Sequence, residues 1–309
     1  MLESPRRPER PVLTIGNFDG LHRGHRAITE VVRTRAAALA GTAVVYTFDP
    51  HPRKVLQGEH APGMLLTLDQ KLELFEAAGM DLVVLEPFDA AFAATPPERF
   101  VRECIHEHIG PKEVYVGYDF HFGKDREGSM RLLTEMGPHL GFSVTVIPEV
   151  TVDGRDVNST RIRTLLAEGE VAEAAALLGR AYAVRGEVVR GDQRGRTLGF
   201  PTLNLARESE ILPCDGVYAG HVRFLDAGDP APGTALPAVT NVGRRPTFKD
   251  HEPSAAEAHL LDFEGEVYGR HIELSFSHRI REERKFEGPE ALREQIARDA
   301  DEARRLLGA

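Results

Sequence analysis

The sequence predicts two domains of different class. Residues 1–180 read as an α/β domain on a doubly wound parallel sheet, and residues 181–309 as a small antiparallel β-barrel with a terminal helix. Three observations carry this. Short continuous apolar runs alternate with helical patterns five times between residues 11 and 150, as expected of parallel strands covered on both faces. After Gly179 the texture changes to short β-rich pieces separated by Gly, Pro, Asp and Asn, the pattern of a small barrel. The 309 residues are enough for two ordinary cores.

In order, Val12–Ile15 is the first strand, Arg26–Ala40 a helix stopped by Gly41, and Thr42–Phe48 the second strand. Leu68–Ala78 is a helix, Asp81–Leu85 a strand, and Pro96–His108 a helix opened by Pro-Pro-Glu. Glu113–Gly117 and Ser143–Ile147 are strands around a helix at 127–140. Thr164–Leu178 reads as one or two helices closing the first domain. Barrel strands are expected at Ala183–Val189, Gly216–Phe224, Leu236–Val242, Glu257–Phe263 and His271–Phe276. The final helix, Gly288–Leu307, sets Leu292, Ile296 and Ala300 on one face and Arg293 and Asp299 on another.

Apolar content of 41% and charged content of 28% describe a globular, soluble chain, and no run of eighteen apolar residues exists to span a membrane. Residues 1–10 are expected to be a loose, charged leader without the apolar stretch of a secretory signal. Cys104 and Cys214 lack any metal or disulfide spacing, which fits a reducing cytoplasm. The net charge of −10 argues against a nucleic-acid partner but not against small anions, which a nest of backbone N–H groups can hold. Self-association is possible and cannot be read from the sequence.

The densest stretch is 14–25, Thr-Ile-Gly-Asn-Phe-Asp-Gly-Leu-His-Arg-Gly-His. Strand, glycine loop and helix follow one another, the layout that sets phosphates against a helix N-terminus. His22 and His25 stand three apart, so both imidazoles share a helix face. Alone, such a pair is as readily a helix cap. The full string resembles the HxGH motif of nucleotidylyl transferases, which implies imidazoles on the ATP phosphates and Gly16, Asn17, Phe18, Asp19 and Gly24 around the nucleotide. Asn158-Ser-Thr-Arg-Ile-Arg163 resembles the Ser-Ser-Thr-x-Ile-Arg motif of bacterial FAD synthetases, implying Ser159, Thr160 and Arg161 as phosphate donors. Asn158 replaces the family's Ser, though Asn also caps helices. Phe48-Asp-Pro-His-Pro-Arg53 and Val116-Gly-Tyr-Asp-Phe-His-Phe-Gly-Lys124 resemble loops of the same family, implying Arg53, Asp119 and Phe120 at the flavin. Phe48, Phe120 and Phe122 fit a core equally well.

Gly195-Arg-Thr-Leu-Gly-Phe-Pro-Thr-Leu-Asn204 resembles the flavokinase motif. That resemblance implies Gly195 and Gly199 over ATP phosphates, and Thr202 and Asn204 as hard oxygen ligands to Mg²⁺ and ATP. Leu203 stands where that family has Ala. Glu257 maps to the family's base on the riboflavin 5′-hydroxyl. The segment Asn241–Phe248 also matches, and Arg281 and Glu283 fall in a loop that closes over flavin in the family. The motifs occur in family order from about Val12 to the last helix, so the chain resembles bacterial bifunctional riboflavin kinase/FAD synthetases. The implied activities use riboflavin, FMN, FAD, ATP and Mg²⁺. Two rivals stay open. One half is inactive or takes CTP, a reading Asn158 invites; or the chain is a flavin-binding regulator, which would need losses at Glu257, Thr202 or His25, all of which are present.

Overall fold

The computed structural model describes residues 7–191, 199–243 and 254–309. The chain divides into two compact units: residues 1–63 with 68–157, and residues 64–67 with 158–309.

In the first unit β1 (Val12–Ile15) is the centre of a five-stranded parallel sheet. Helix α1 (Arg23–Ala38) leads to β2 (Ala43–Asp49). Helices α2 (Pro52–Gln57) and α3 (Leu68–Ala77) lead to β3 (Leu82–Pro87). Short α4 (Ala90–Ala93) and α5 (Pro97–Arg99) come next, the latter running into a π-helical segment, Phe100–Ile109, ended by left-handed Gly110. Then come β4 (Glu113–Gly117), the two-residue hairpin strands β5 (His121–Phe122) and β6 (Gly128–Ser129), α6 (Met130–His139) and β7 (Ser143–Ile147). A second small hairpin, β8 (Thr151–Val152) and β9 (Arg155–Asp156), closes the unit.

The strand order is β3-β2-β1-β4-β7. Leu13 sits between Val44 and Val114, and all three are fully buried, which is why these strands read as unbroken apolar runs. The order reverses between β1 and β4, so Gly16 and Gly117 end adjacent strands at the switch point where ligands of open α/β sheets bind. Helix α1 turns Ile28, Val32 and Ala36 inward at four-residue spacing.

In the second unit α7 (Ser159–Glu168) and α8 (Val171–Leu178) end on Gly169 and Gly179, both left-handed. The strands β10 (Tyr182–Val189), β11 (Leu203–Arg207), β12 (Gly216–Phe224), β13 (Ala235–Gly243), β14 (Ala255–Leu260), β15 (His271–Phe276) and β16 (His278–Arg281) follow. The order β13-β14-β11-β10-β15-β12 closes through a β12–β13 pairing into a six-stranded antiparallel barrel, with β16 beside β12. β11 and β16 were not expected from the sequence: β11 begins within the Pro-Thr-Leu-Asn motif at Leu203 and runs on to Arg207, and β16 is separated from β15 by one residue.

The terminal helix, Pro289–Leu307, corrects one expectation. Asp299 is 3% exposed rather than on a polar outer face. Its carboxylate takes hydrogen bonds from Arg281 Nε at 3.0 Å and Nη2 at 2.8 Å, and from Gln295 Nε2 at 2.7 Å. Arg281, placed at the flavin by resemblance, thus directs its guanidinium at Asp299, and Arg281 and Arg284 both lie over the Phe286 ring. Removing one partner of a buried ion pair leaves the other desolvated. Asp299→Ala is therefore expected to cost about 3 kcal/mol. Urea unfolding should show a lower midpoint than for Asp299→Asn, which keeps one acceptor. Equal midpoints for wild type and Asp299→Ala would reduce the pair to a surface contact.

Candidate active sites

The glycine loop at the end of β1 is held by its own rings and by the adjacent strand. Gly16 N–H bonds the Tyr46 carbonyl at 3.1 Å, and the Thr47 hydroxyl reaches the Asn17 carbonyl at 3.4 Å. The chain then turns through left-handed φ at Phe18 (51°), Gly20 (85°) and Leu21 (35°). Two of these are not glycine, so the turn is strained and must be held from outside. The Phe18 ring folds back over Gly16, where a Cβ would come within 3.1 Å of it, and packs edge-on against His25 at 5.1 Å and Phe75 at 5.4 Å.

His22 is the N-cap of α1: its Nδ1 accepts the His25 N–H at 3.3 Å. The two imidazoles stack, with centroids 3.6 Å apart and planes 16° from parallel. Gly24 makes this possible, since a Cβ there would stand 3.2 Å from the His22 ring. His22 is thus a helix cap, as the simpler reading had it, and its ring also stacks on His25. Burial, and then the neighbouring His22, hold the His25 pKa well below 6.5, so His25 rests neutral. Its Nδ1 is buried without a hydrogen-bond partner in the protein, as is the Thr14 hydroxyl. These two unsatisfied polar atoms, one on the first turn of α1 and one on β1, leave hydrogen-bonding capacity for a ligand, and a helix start suits an anionic one.

Among the other residues of this unit singled out above, Asp19 is 6% exposed, whereas Arg53 and Asp119 are exposed and Phe120 is half-buried. Arg53 is the second residue of α2, after a turn in which His51 Nδ1 caps its N–H at 3.1 Å. Asp119 follows β4, with its carboxylate over Gly117. Phe120 stacks on Phe122, which joins Phe100, Phe92, Phe88 and Phe48 in one aromatic cluster. Phe48 and Phe122 are buried at 8% and 7%, so the core reading holds for both. One buried residue escaped the sequence reading: Lys71 on α3, at 8% exposure. Its signal was its place on the apolar stripe, one turn before Phe75.

In the second unit Asn158 caps α7 through its Oδ1, which accepts the Arg161 N–H at 2.9 Å. The cap is thus kept without the hydroxyl. Ser159 and Arg161 are half-buried and Thr160 is exposed at that helix start.

On the barrel, strand register does what spacing could not. Asn204 pairs with Glu257, and Glu257 pairs with Asn241, so three polar side chains form a row across β11, β14 and β13 on one face. The opposite face carries buried Ala256, Ala258 and Leu260. Asn204 is 5% exposed and lies under Gly191, where a Cβ would come within 2.2 Å of its amide. The Glu283 carboxylate packs on the backbone of Gly243, two residues along β13 from Asn241. Thr202 lines a cavity of about 350 Å³ with Leu203, Phe263, Val267 and Tyr268. The Pro201 carbonyl is held by His259 Nδ1 at 2.9 Å. Gly199 is left-handed, φ 86°, and Gly195 lies outside the described residues.

Known proteins resemble the chain over nearly its whole length. Residues 4–161 match the FAD synthetase family and residues 178–307 the riboflavin kinase family. The bifunctional riboflavin kinase/FMN adenylyltransferase of Escherichia coli K12 is 39% identical over 297 residues, covering 96% of this chain and 93% of its own. The protein of the same name from Bacillus subtilis is 35% identical over 303 residues, covering 96% and 93%. A solved structure from Streptococcus pneumoniae, described as a macrolide-efflux protein, superposes with a TM-score of 0.87 at 29% identity, covering 97% and 95%. Among the described residues of this chain no helix is long and apolar enough to cross a membrane. The chain belongs to the bifunctional riboflavin kinase/FMN adenylyltransferase family, with FAD synthetase in its N-terminal region and riboflavin kinase in its C-terminal region.

Proposed function

We propose that the two reactions use separate side-chain sets, divided at about residue 180. Riboflavin and ATP would give FMN and ADP at the polar row of the barrel. FMN and ATP would then give FAD and pyrophosphate at the glycine loop. The observation that carries the assignment is the stacked imidazole pair at the sheet's switch point, matched on the barrel by the Asn204–Glu257–Asn241 row.

In adenylylation the FMN phosphate attacks the α-phosphorus of ATP and pyrophosphate leaves. The nucleophile is already an anion, so no base is required. What is required is alignment and charge stabilisation. His22, its Nδ1 engaged in the cap, carries its proton on Nε2 when neutral and presents a donor there. Gly16, Asn17, Phe18, Asp19 and Gly24 shape the nucleotide site. Ser159, Thr160 and Arg161 supply hydroxyl, N–H and guanidinium donors for phosphate. Arg53, Asp119 and Phe120 serve the flavin.

In phosphorylation Glu257 accepts the proton of the riboflavin 5′-hydroxyl as it attacks the γ-phosphorus. Thr202 and Asn204 offer a hydroxyl and an amide oxygen, hard donors that fit Mg²⁺. When bound, that ion neutralises charge on the transferring phosphoryl group. The cavity beside Thr202 is a place for the adenosine of ATP, and Glu283 and Arg281 lie in the loop assigned to flavin. The free Cys104 and Cys214 favour a reducing compartment, and the net charge of −10 disfavours a nucleic-acid partner.

Incubating the protein with riboflavin, ATP and Mg²⁺ and resolving flavins over time tests the scheme. His25→Ala should reduce FAD formation from FMN by about 100-fold, the scale of a lost transition-state donor, while leaving riboflavin phosphorylation within twofold. Glu257→Gln should do the reverse, with FMN supplied directly to read adenylylation. Either substitution abolishing both activities in a folded protein would refute separate sites.

The resting charge of His25 gives a second test. The folded state holds it unprotonated below 6.5, where the unfolded chain takes up a proton. Its contribution to stability is therefore full above that value and falls as the pH drops below it. NMR titration of the ligand-free protein should find the His25 ring midpoint well under 6.5. A midpoint at or above 6.5 would contradict the buried, neutral imidazole.

A further inference from the structure

We infer that Lys71 is a positioning residue for FMN adenylylation, its buried ammonium holding the Phe48 carbonyl at the end of β2 from the same face of α3 that packs on the glycine loop. This rests on the assignment of the glycine loop to that reaction.

The loop needs bracing, because Phe18 and Leu21 hold left-handed backbone that residues with a Cβ adopt only under constraint. One face of α3 supplies the brace. Phe75 sets its ring edge-on against Phe18 at 5.4 Å, and Lys71 lies one turn earlier on the same face. Lys71 Nζ donates to the Phe48 carbonyl at 3.3 Å. The carboxylates of Asp19 and Asp49 act on it electrostatically, opposing the burial that lowers its pKa. The α3 face thus joins two segments assigned to the reaction: Phe75 packs on the glycine loop at Phe18, and Lys71 holds the Phe48 carbonyl, where the turn at 48–53 leads to Arg53.

Charge explains why a cation belongs there. Asp19 is itself buried, in a loop assigned to a polyphosphate. An uncompensated carboxylate in that place would repel the ligand, and an unpaired buried ion is expensive. Lys71 answers both costs. Its Nζ is engaged by the Phe48 carbonyl, so its effect passes through that carbonyl and the charge it sets beside the loop.

The test uses the full chain and assays both activities. Lys71→Met should lower kcat for FMN adenylylation at least tenfold, with KM for ATP changed less than kcat. Riboflavin phosphorylation should stay within twofold. Lys71→Ala should lose as much and regain at least threefold on addition of ethylammonium, but not of tetramethylammonium, which has no N–H to donate. A brace acting only through packing would not respond to the choice of amine. Should either variant fail to show a cooperative unfolding transition, Lys71→Arg decides, since it keeps the charge with a different head group and should still lower kcat at least threefold. Wild-type adenylylation in Lys71→Met, or in Lys71→Arg where that variant decides, would overturn the inference, as would a folded Lys71→Ala that ethylammonium does not restore. If His25→Ala leaves FAD formation intact, the assignment of the loop fails instead. If His25→Ala abolishes it and the Lys71 variants do not impair it, only the role of Lys71 fails.

Discussion

A strand must become a helix within seven residues at the end of β1, through left-handed backbone at residues with side chains. Much of the first unit follows from that. Phe18 swings inward and needs a partner, which Phe75 provides. Gly16 and Gly24 keep clear the space that the Phe18 and His22 rings occupy. Thr47, on the neighbouring strand, reaches the Asn17 carbonyl. Strain of this kind persists only where the surroundings over-determine it. In return, backbone N–H groups face outward at a helix start, which is what a phosphate binds.

The barrel reaches the same end without strain. Its polar row comes from register alone: residues far apart in the chain fall opposite one another because three strands pair in a fixed alignment. Small buried residues, Ala256 and Ala258, fill the other face. A one-residue slip of β14 would turn Glu257 inward and these alanines outward, so burial of the alanines keeps the carboxylate on its face.

The split between readable and unreadable features follows the range of the interactions. Alternation of apolar runs with helices gave away the parallel sheet, and the change of texture after Gly179 gave away the barrel, because both are local patterns. Asn241 matched a motif, but its place beside Glu257 depended on pairing no spacing reveals. Lys71 drew no reading, and Asp299 was set on the face away from Leu292 and Ile296, because the charges that act on them, Asp19 and Arg281, are distant in sequence. β11 went unseen because five residues that begin at the end of a glycine- and proline-rich motif carry too short a pattern to declare a strand.

The cap formed by His22 has a consequence for entropy. An imidazole free to rotate would lose rotamers when it gripped a ligand, and that loss would be subtracted from affinity. Here one ring nitrogen is engaged by the His25 N–H and the ring lies flat against a second ring, so its torsions are set by the helix itself. Folding has already met the ordering cost, so under the proposed assignment a nucleotide would meet a ring whose orientation was decided when α1 formed.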